Sequence, residues 1–364
     1  MKIGCVINSL AAGGAERVIL RLSGGLAGRG HDVTVITLSP GADDFYRIPA
    51  GVARLSPECP PDCRWYDLRG QLRRISALRG AITGLKPDVL ISFIDITNIL
   101  TLIAAFPGRP PVIVCERTNP LHHKIGAPWR LLRRLLYPGA AKVVMLTSDT
   151  LAWARSLSPA WNAAAIPNPV PPPEFSSAGR PEYFRLPRNI VAVGRLTEVK
   201  GFDMLLRSFA GIAGSFPQWQ LTILGDGPLR AQLEALAASL GLGDRVKFPG
   251  TQKNTADVLR FSDLFVLSSR YEGFPNALTE ALACGIPAVS FDCPSGPAEI
   301  LSHGGNGLLV PAGDEDALAA AMAELMADDR KRARMSERAP EITGRYGLKN
   351  YLDSWETLLA GIRR

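Results

Sequence analysis

Two cations and two carboxylates in this sequence could together handle a diphosphate: Arg195 and Lys200 in GRLTEVKG, and Glu272 and Glu280 in EGFPNALTE. Arginine offers a planar fork and lysine a compact point charge. Both stand beside glycines (Gly194, Gly201) where an apolar run ends and a helical pattern begins. The carboxylates flank a helix N-terminus. Leu264–Leu267 reads as a strand, Gly273 permits a tight bend, Pro275 suits the first helical position, and 277–283 are good helix formers closed by Gly285. The amides around Asn276, Ala277 and Leu278 then point at an anion, with Gly273, Phe274 and Pro275 framing its approach. A carboxylate before the anion site and another more than one turn inside it suit a ligand with hydroxyls at both ends of a diphosphate. A nucleotide sugar is such a ligand. Breaking its glycosidic bond builds negative charge on the leaving oxygen, for which Arg195, Lys200 and the helix N-terminus are preorganised donors. Asp226 in LGDGP either joins this site or only starts its own turn.

These residues need a scaffold. A chain of 364 residues is too long for one ordinary core, so two domains are expected. In the first half, a strand over Lys2–Ile7, a loop ending in Gly13-Gly14, a helix over 15–28 and a strand over 33–38 make a βαβ unit and hence a parallel sheet. The two glycines let a phosphate or sugar approach the backbone, or simply turn the chain. Further strands are predicted over 88–93, 111–115, 142–147 and 163–166. The second of these ends in Glu116-Arg117-Thr118-Asn119, a polar cluster at the strand edge where open α/β sheets bind ligands, so Glu116, Arg117 and Asn119 are candidates. His122 and His123 follow; as neighbours they cannot share one site, and a solvated loop is expected for at least one. A proline-rich linker spans 167–187. The second half repeats the pattern, with strands over 189–193, 220–225, 246–248, 288–291 and 307–310. Its helices are predicted after Gly201, over 229–240, near 255–261, from the Asp314 cap to 327, and over 346–362.

The 41 Lys and Arg against 34 Asp and Glu leave a net charge of +7, which favours anionic partners. Arg69 and Arg73 share one flank of a helix over 66–85 whose apolar stripe is Leu68, Leu72, Ile75, Leu78 and Ile82. In a helix over 129–137 the leucines face one way and Arg130, Arg133, Arg134 and Tyr137 the other. Each helix reads either as a solvated, sheet-packed element or as a contact for a lipid head group or diphosphate. No basic patch is interleaved with aromatics, which argues against nucleic acid. The six cysteines show no paired metal spacing; Cys59 and Cys63 come nearest, while Cys5 and Cys115 fall in apolar strands as reduced thiols would. With no leader and no run of about 18 apolar residues, the expectation is a cytoplasmic chain whose membrane contact is peripheral.

The segments GGAER at 13–17, LTSDTLA at 146–152, IPNPV at 166–170, VGRLTEVKG at 193–201, LGDGPLR at 224–230 and the Glu272-x7-Glu280 pair resemble glycosyltransferase family 4. VGRL-x3-KG with E-x7-E in this order is specific; the glutamate pair alone is not. The resemblance implies an α/β chain of the GT-B fold, two facing Rossmann-like domains with a cleft between them, taken here as 1–170 for the acceptor, 171–345 for the donor, and a helix over 346–364 crossing back. It implies that Arg195 and Lys200 hold the donor diphosphate, Glu272 the transferred sugar, Glu280 the ribose, and that Gly14 admits the donor phosphate. It implies retention of configuration by front-face attack, with no obligatory metal or cofactor. Many family members carry a histidine where this chain has Glu116. CPSGPAEI at 293–300 with ERTNP at 116–120 is similar to bacterial enzymes that extend polyprenyl-diphosphate-linked or capsular glycans. That implies a UDP-sugar donor, an N-acetylhexosamine or hexose, and a lipid-linked saccharide acceptor. It also implies peripheral contact with an anionic membrane at its inner face, through Arg69, Arg73, Arg130, Arg133 and Arg134. A soluble acceptor is the alternative. A nicotinamide-dependent oxidoreductase would need a G-x-G-x-x-G after the first strand, where only Gly13-Gly14 stands.

Overall fold

The computed structural model describes residues 1–39, 44–57, 68–107 and 110–362. They divide into two compact units, Met1–Asn168 with Lys349–Arg364, and Pro169–Leu348. Each is built on a parallel sheet whose strands, covered on both faces, are near-continuous apolar runs.

In the first unit β1 (Lys2–Ile7), α1 (Gly14–Gly28), β2 (Asp32–Thr37), β3 (Val52–Leu55) and α2 (Leu68–Leu85) lead to β4 (Val89–Phe93). Then come α3 (Asp95–Ala105), β5 (Val112–Cys115), α4 (Ala127–Leu136), β6 (Lys142–Met145), α5 (Ser148–Leu157) and β7 (Ala163–Ala165). The strand order is β3-β2-β1-β4-β5-β6-β7, so it reverses between β1 and β4. α1 buries Val18, Ile19, Leu22 and Leu26.

Two helices lie rotated from the leucine-inward expectation. On α2, Leu68 and Leu72 are exposed while Gln71, Arg74, Leu78 and Ile82 are buried; the expected start at 66 lies outside the described residues. Arg79 of this helix donates to the carbonyls of Ile103 (2.9 Å) and Ala104 (3.2 Å), closing the end of α3. On α4, Arg133 and the following Tyr137 face inward, and Leu131 and Leu135 stand 59% and 65% exposed. The reason is Glu116. A carboxylate that is 1% exposed must be met by donors, and that demand outweighs burying two leucines.

The second unit runs β8 (Arg188–Val193), α6 (Phe202–Ala213), β9 (Trp219–Leu224), α7 (Arg230–Ser239), β10 (Val246–Gly250), α8 (Thr255–Leu259) and β11 (Leu264–Leu267). It continues with α9 (Asn276–Ala283), β12 (Ala288–Asp292), α10 (Pro297–Ile300), β13 (Gly307–Pro311), α11 (Glu315–Ala327), α12 (Asp329–Arg338) and α13 (Ile342–Tyr346). Its order is β10-β9-β8-β11-β12-β13, reversing between β8 and β11. The Asp314 carboxylate caps α11 by accepting the Ala317 amide at 2.8 Å.

α14 (Leu348–Ile362) lies almost wholly in the first unit. Gly25 of α1 leaves room for Leu352, Arg29 pairs with Asp353 at 2.7 Å, and His31 meets Glu356 at 2.9 Å.

Gly201, which ends the loop after β8 in a left-handed conformation (φ 61°), lies so close to β11 that a Cβ there would overlap the Ser268 carbonyl. Gly201→Ala is therefore expected to cost more than about 2 kcal/mol, through φ strain and backbone displacement together. Urea unfolding measures it; a loss below about 0.5 kcal/mol would show that the two loops separate freely.

Candidate functional site

The loops after β8 and β11 leave adjacent strand ends at the point where the second sheet reverses, the position at which such sheets bind ligands. Lys200 Nζ lies 2.6 Å from Glu272 Oε1, and Ser269 Oγ donates to the same oxygen at 2.6 Å. The lysine stem runs over Gly194, where a Cβ would sit 3.1 Å from Lys200 Cδ. Ser268 Oγ donates to the Lys200 carbonyl at 2.9 Å, and the Arg270 amide to the Val199 carbonyl at 2.8 Å. Arg270 also grips Asp203 through two hydrogen bonds of 2.9 Å. Burial works against that carboxyl's charge, but hydrogen bonds from Arg270 and Arg207 hold Asp203 down to about 2. Ser268, Ser269, Arg270 and Asp203 were not singled out from the sequence, because their role is to fix other loops rather than to match a motif.

Arg195 is exposed on the same loop as Lys200. Asp226 is engaged in its own turn: its carboxylate accepts the Gly227 amide at 2.7 Å and stands 3.4 Å from Arg230. Pro275 is the cap and Asn276 the first residue of α9, one position later than expected. The Asn276 amide donates to Phe274 O (2.9 Å) and that of Thr279 to Pro275 O (3.2 Å), which leaves Ala277 and Leu278 as the open donors. Glu280 is half-buried one turn inside. Phe274 is buried with its ring against Tyr346 (5.6 Å between centroids), so it serves the core and does not frame the approach. Gly273 does not take a left-handed φ; the sharp backbone lies at Ser295 and Gly296 (φ 68° and 110°), where a Cβ on Gly296 would come 2.6 Å from Pro275 Cδ. The loop after β12 thus walls the corner, and the Glu272 amide donates to Pro294 O at 3.2 Å.

In the first unit Gly13 is extended and caps α1, and the Glu16 carboxylate folds back over it. Gly14 opens the helix. Glu116 Oε1 accepts from Tyr137 Oη at 2.6 Å and lies 3.7 Å from Arg133, while its buried Oε2 has no partner. Burial pushes the Glu116 carboxyl up to about 7, against the pull of Arg133 and with help from Asp95. Arg117 donates to Asn168 at 2.8 Å and stacks 3.4 Å from the Phe93 ring centroid. Asn119 is buried; its side chain accepts the Leu121 amide and its carbonyl the amides of His122 and His123. These two residues shape the strand edge. Asp95 (5% exposed) and His123 (side chain 44% exposed) meet at 3.3 Å; neither was singled out as a site residue. Arg69, Arg73, Arg130 and Arg134 are exposed on α2 and α4, whereas Arg133 faces Glu116 and is withdrawn from any outer surface.

A cavity of about 680 Å³ lies elsewhere in this unit, lined by residues leading into β5, β6 and β7 and by α14, away from Glu116. Among the described residues no group of three or more His, Cys, Asp or Glu is placed to hold a metal ion. Cys59 and Cys63 lie outside them, and Cys5 and Cys115 are free and buried. No helix among the described residues is long and apolar enough to cross a membrane.

Comparison with known proteins accords with this layout. Residues 13–169 match the glycosyl transferase 4-like domain and residues 185–342 the glycosyl transferases group 1 model. The chain belongs to this family of glycosyltransferases. It is 29% identical, over 100% of its length and 99% of the relative's, to a Campylobacter jejuni enzyme. That relative is named GalNAc-α-(1→4)-GalNAc-α-(1→3)-diNAcBac-PP-undecaprenol α-1,4-N-acetyl-D-galactosaminyltransferase. An amylovoran biosynthesis glycosyltransferase of Erwinia amylovora is 28% identical over 96% of each chain. Among solved structures, HepE of Anabaena in complex with UDP and glucose superposes with a TM-score of 0.82 at 21% identity over 99% of both chains. Sucrose-phosphate synthase of Thermosynechococcus elongatus gives 0.83 at 20% identity over 99% and 98%. The fold is GT-B.

The raised Glu116 carboxyl has a consequence for stability. The folded chain holds that proton with a pKa of about 7, against an ordinary 4.5, and so binds it more tightly than the unfolded chain. The charge therefore disfavours folding as pH rises above the ordinary value, and the cost is complete above about 7. Glu116→Gln removes it. Relative to wild type, this variant is expected to gain on the order of 2 kcal/mol between pH 5 and pH 8. Urea unfolding at the two pH values reads the difference, and a pH-independent offset would contradict burial as the cause.

Proposed function

We propose that this glycosyltransferase moves a sugar, an N-acetylhexosamine or hexose, from a UDP-sugar to a polyprenyl-diphosphate-linked saccharide with retention of configuration. The carrying observation is the corner at the β8–β11 reversal, where Lys200, Glu272 and the open amides of α9 converge. A donor diphosphate draws Lys200 from Glu272 and takes Arg195 and the Ala277 and Leu278 amides as further donors for its leaving charge. Glu272, released, accepts hydroxyls of the transferred sugar, and Glu280 accepts those of the ribose. Front-face attack by the acceptor hydroxyl forms the new glycosidic bond as the bond to the diphosphate breaks on the same side, and the hydroxyl proton passes to the departing phosphate oxygen. The names of the Campylobacter and Erwinia relatives support a glycan-building role, and the former supports a lipid-linked acceptor.

The acceptor's membrane is met, in this reading, by the outer face of α4, where Arg130, Leu131, Arg134 and Leu135 are exposed together. Leu68, Arg69, Leu72 and Arg73 on α2 repeat that pairing of leucine with arginine. Leucines enter the head-group region while arginines meet anionic lipid. The site of action is then the cytoplasmic face, with peripheral attachment.

Lys200→Ala and Glu280→Ala are each expected to lower transfer at least 100-fold; Glu280→Ala should shift Tm by under about 3 °C, whereas Lys200→Ala, which strips buried Glu272 of its cation, should lower Tm by more. Near-normal transfer by both variants sinks the site assignment. UDP-sugars, and not GDP-sugars, are expected to raise Tm by mass action, since only a bound ligand stabilises the folded chain; equal shifts from both would remove the UDP assignment. For the membrane face, the chain should sediment with vesicles containing phosphatidylglycerol, and Leu131→Asp with Leu135→Asp should abolish that. Unchanged sedimentation of the double variant would move the contact elsewhere.

A further inference from the structure

The first sheet also reverses, between β1 and β4, and the chemistry gathered at the end of β4 has no assigned role. We infer that Asp95, Glu116 and His123 form a hydroxyl-binding subsite for the saccharide acceptor. They arrive from two segments, the start of α3 and the loop after β5. β4 and β5 are paired in register up to Phe93 and Cys115, so Asp95 and Glu116 follow side by side just beyond that pair. Asp95 opens α3 and Glu116 opens the loop that carries His123. The turn into α3 passes through Ile94 at φ 76°, and it is held by the Ile94 amide on Cys115 O (3.1 Å) and by Asn98 Nδ2 on the same carbonyl (3.0 Å).

The observation that points to a ligand is Glu116 Oε2. The side chain is 1% exposed, its other oxygen takes Tyr137 Oη, and this one accepts nothing. A buried oxygen without a partner is costly whether it is ionised or carries its proton, and a hydroxyl, which can donate or accept, would remove that cost on arriving at the site. His123 supplies the complementary group. Its Nε2 rests 3.3 Å from Asp95 Oδ2, which leaves Nδ1 on a ring whose side chain is 44% exposed. The hydrogen bond to Asp95 raises the affinity of this imidazole for a proton, against its partial burial; Nδ1 donates when that proton is bound and accepts when it is not. A sugar hydroxyl both donates and accepts, so a polyhydroxyl ligand meets the ring in either form. Two carboxylates disfavour a phosphate here, and the remaining charge facing Glu116 is Arg133 from α4.

The identity of the ligand as an acceptor rests on the transferase reading; the binding site itself does not. The chain has four histidines, so its imidazole NMR spectrum is sparse. The full chain, without nucleotide, is titrated with the octyl α-glycosides of N-acetylgalactosamine, N-acetylglucosamine and galactose. The expected result is a saturable shift of the resonances that His123→Gln deletes. Glu116→Gln and Asp95→Asn should each weaken the apparent Kd at least tenfold while Tm at pH 6 is retained. An unmoved His123 with all three glycosides overturns the subsite, and so does sugar transfer to any of them with His123 unmoved. A saturable His123 shift without transfer from any UDP- or GDP-sugar upholds the subsite and counts against the transferase reading alone.

Discussion

Glu272 is a carboxylate only 7% exposed, and the geometry of the second unit follows from the need to meet it. Its partners come from opposite sides. Ser269 lies on its own loop, while Lys200 comes from the loop of the neighbouring strand at 2.6 Å. That pairing requires β8 and β11 to be adjacent, which occurs only where strand order reverses. It also requires two loops to touch through backbone, which Gly201 permits against Ser268 O. Arg270 on Asp203 and Ser268 on the Lys200 carbonyl then hold the loops together. A charge so held is preorganised: little reorientation remains when a ligand's charge arrives.

The first unit applies the same topology with a different balance. Its strand ends also carry a buried carboxylate, but the cation facing Glu116 is 3.7 Å away and one oxygen is unpartnered. Burial therefore dominates, and Glu116 keeps its proton to about neutral pH. Two corners of one chain thus hold carboxylates in different electrostatic settings. The one with a lysine in contact suits a ligand that is itself charged, and the one with a neutral phenol and an unpartnered oxygen suits a neutral hydroxyl.

The residues that meet at the β8–β11 corner were legible because each sits at a strand end in a local motif. Buried parallel strands are continuous apolar runs, and glycines and prolines mark where they stop. What could not be read locally is any role created by distant contact. Asp95, at the start of α3, and His123, in the loop beyond β5, meet only once the sheet has formed. α3 passed unnoticed because Ile, Leu and Thr surround it on most faces, a composition that carries no 3.6-residue stripe. Pattern reading also assumes that leucines turn inward. On α4 it held for Leu132 and Leu136, which pack against the core, and failed for Leu131 and Leu135 because Arg133 and Tyr137 answer Glu116, a requirement lying in another segment.

The corrected orientation of α4 changes what that helix can do. On its inner side Tyr137 donates to Glu116 and Arg133 pairs with it at 3.7 Å, and its outer face presents Leu131, Leu135, Arg130 and Arg134. A helix is roughly 10 Å across with its side chains, so whatever meets the outer face is held at about that distance from the buried carboxylate. The distance is rigid, since the inner face is anchored by a 2.6 Å hydrogen bond and by ring contact of Tyr137 with Trp161 at 5.0 Å. Had Leu131 and Leu135 turned inward with Leu132 and Leu136, Glu116 would lose Tyr137 and Arg133 and the outer face would lack apolar anchors. One rotation of one helix satisfies a buried charge and exposes an amphipathic surface at once, and a substitution on either face therefore acts on one of these two properties without obliging the other to change.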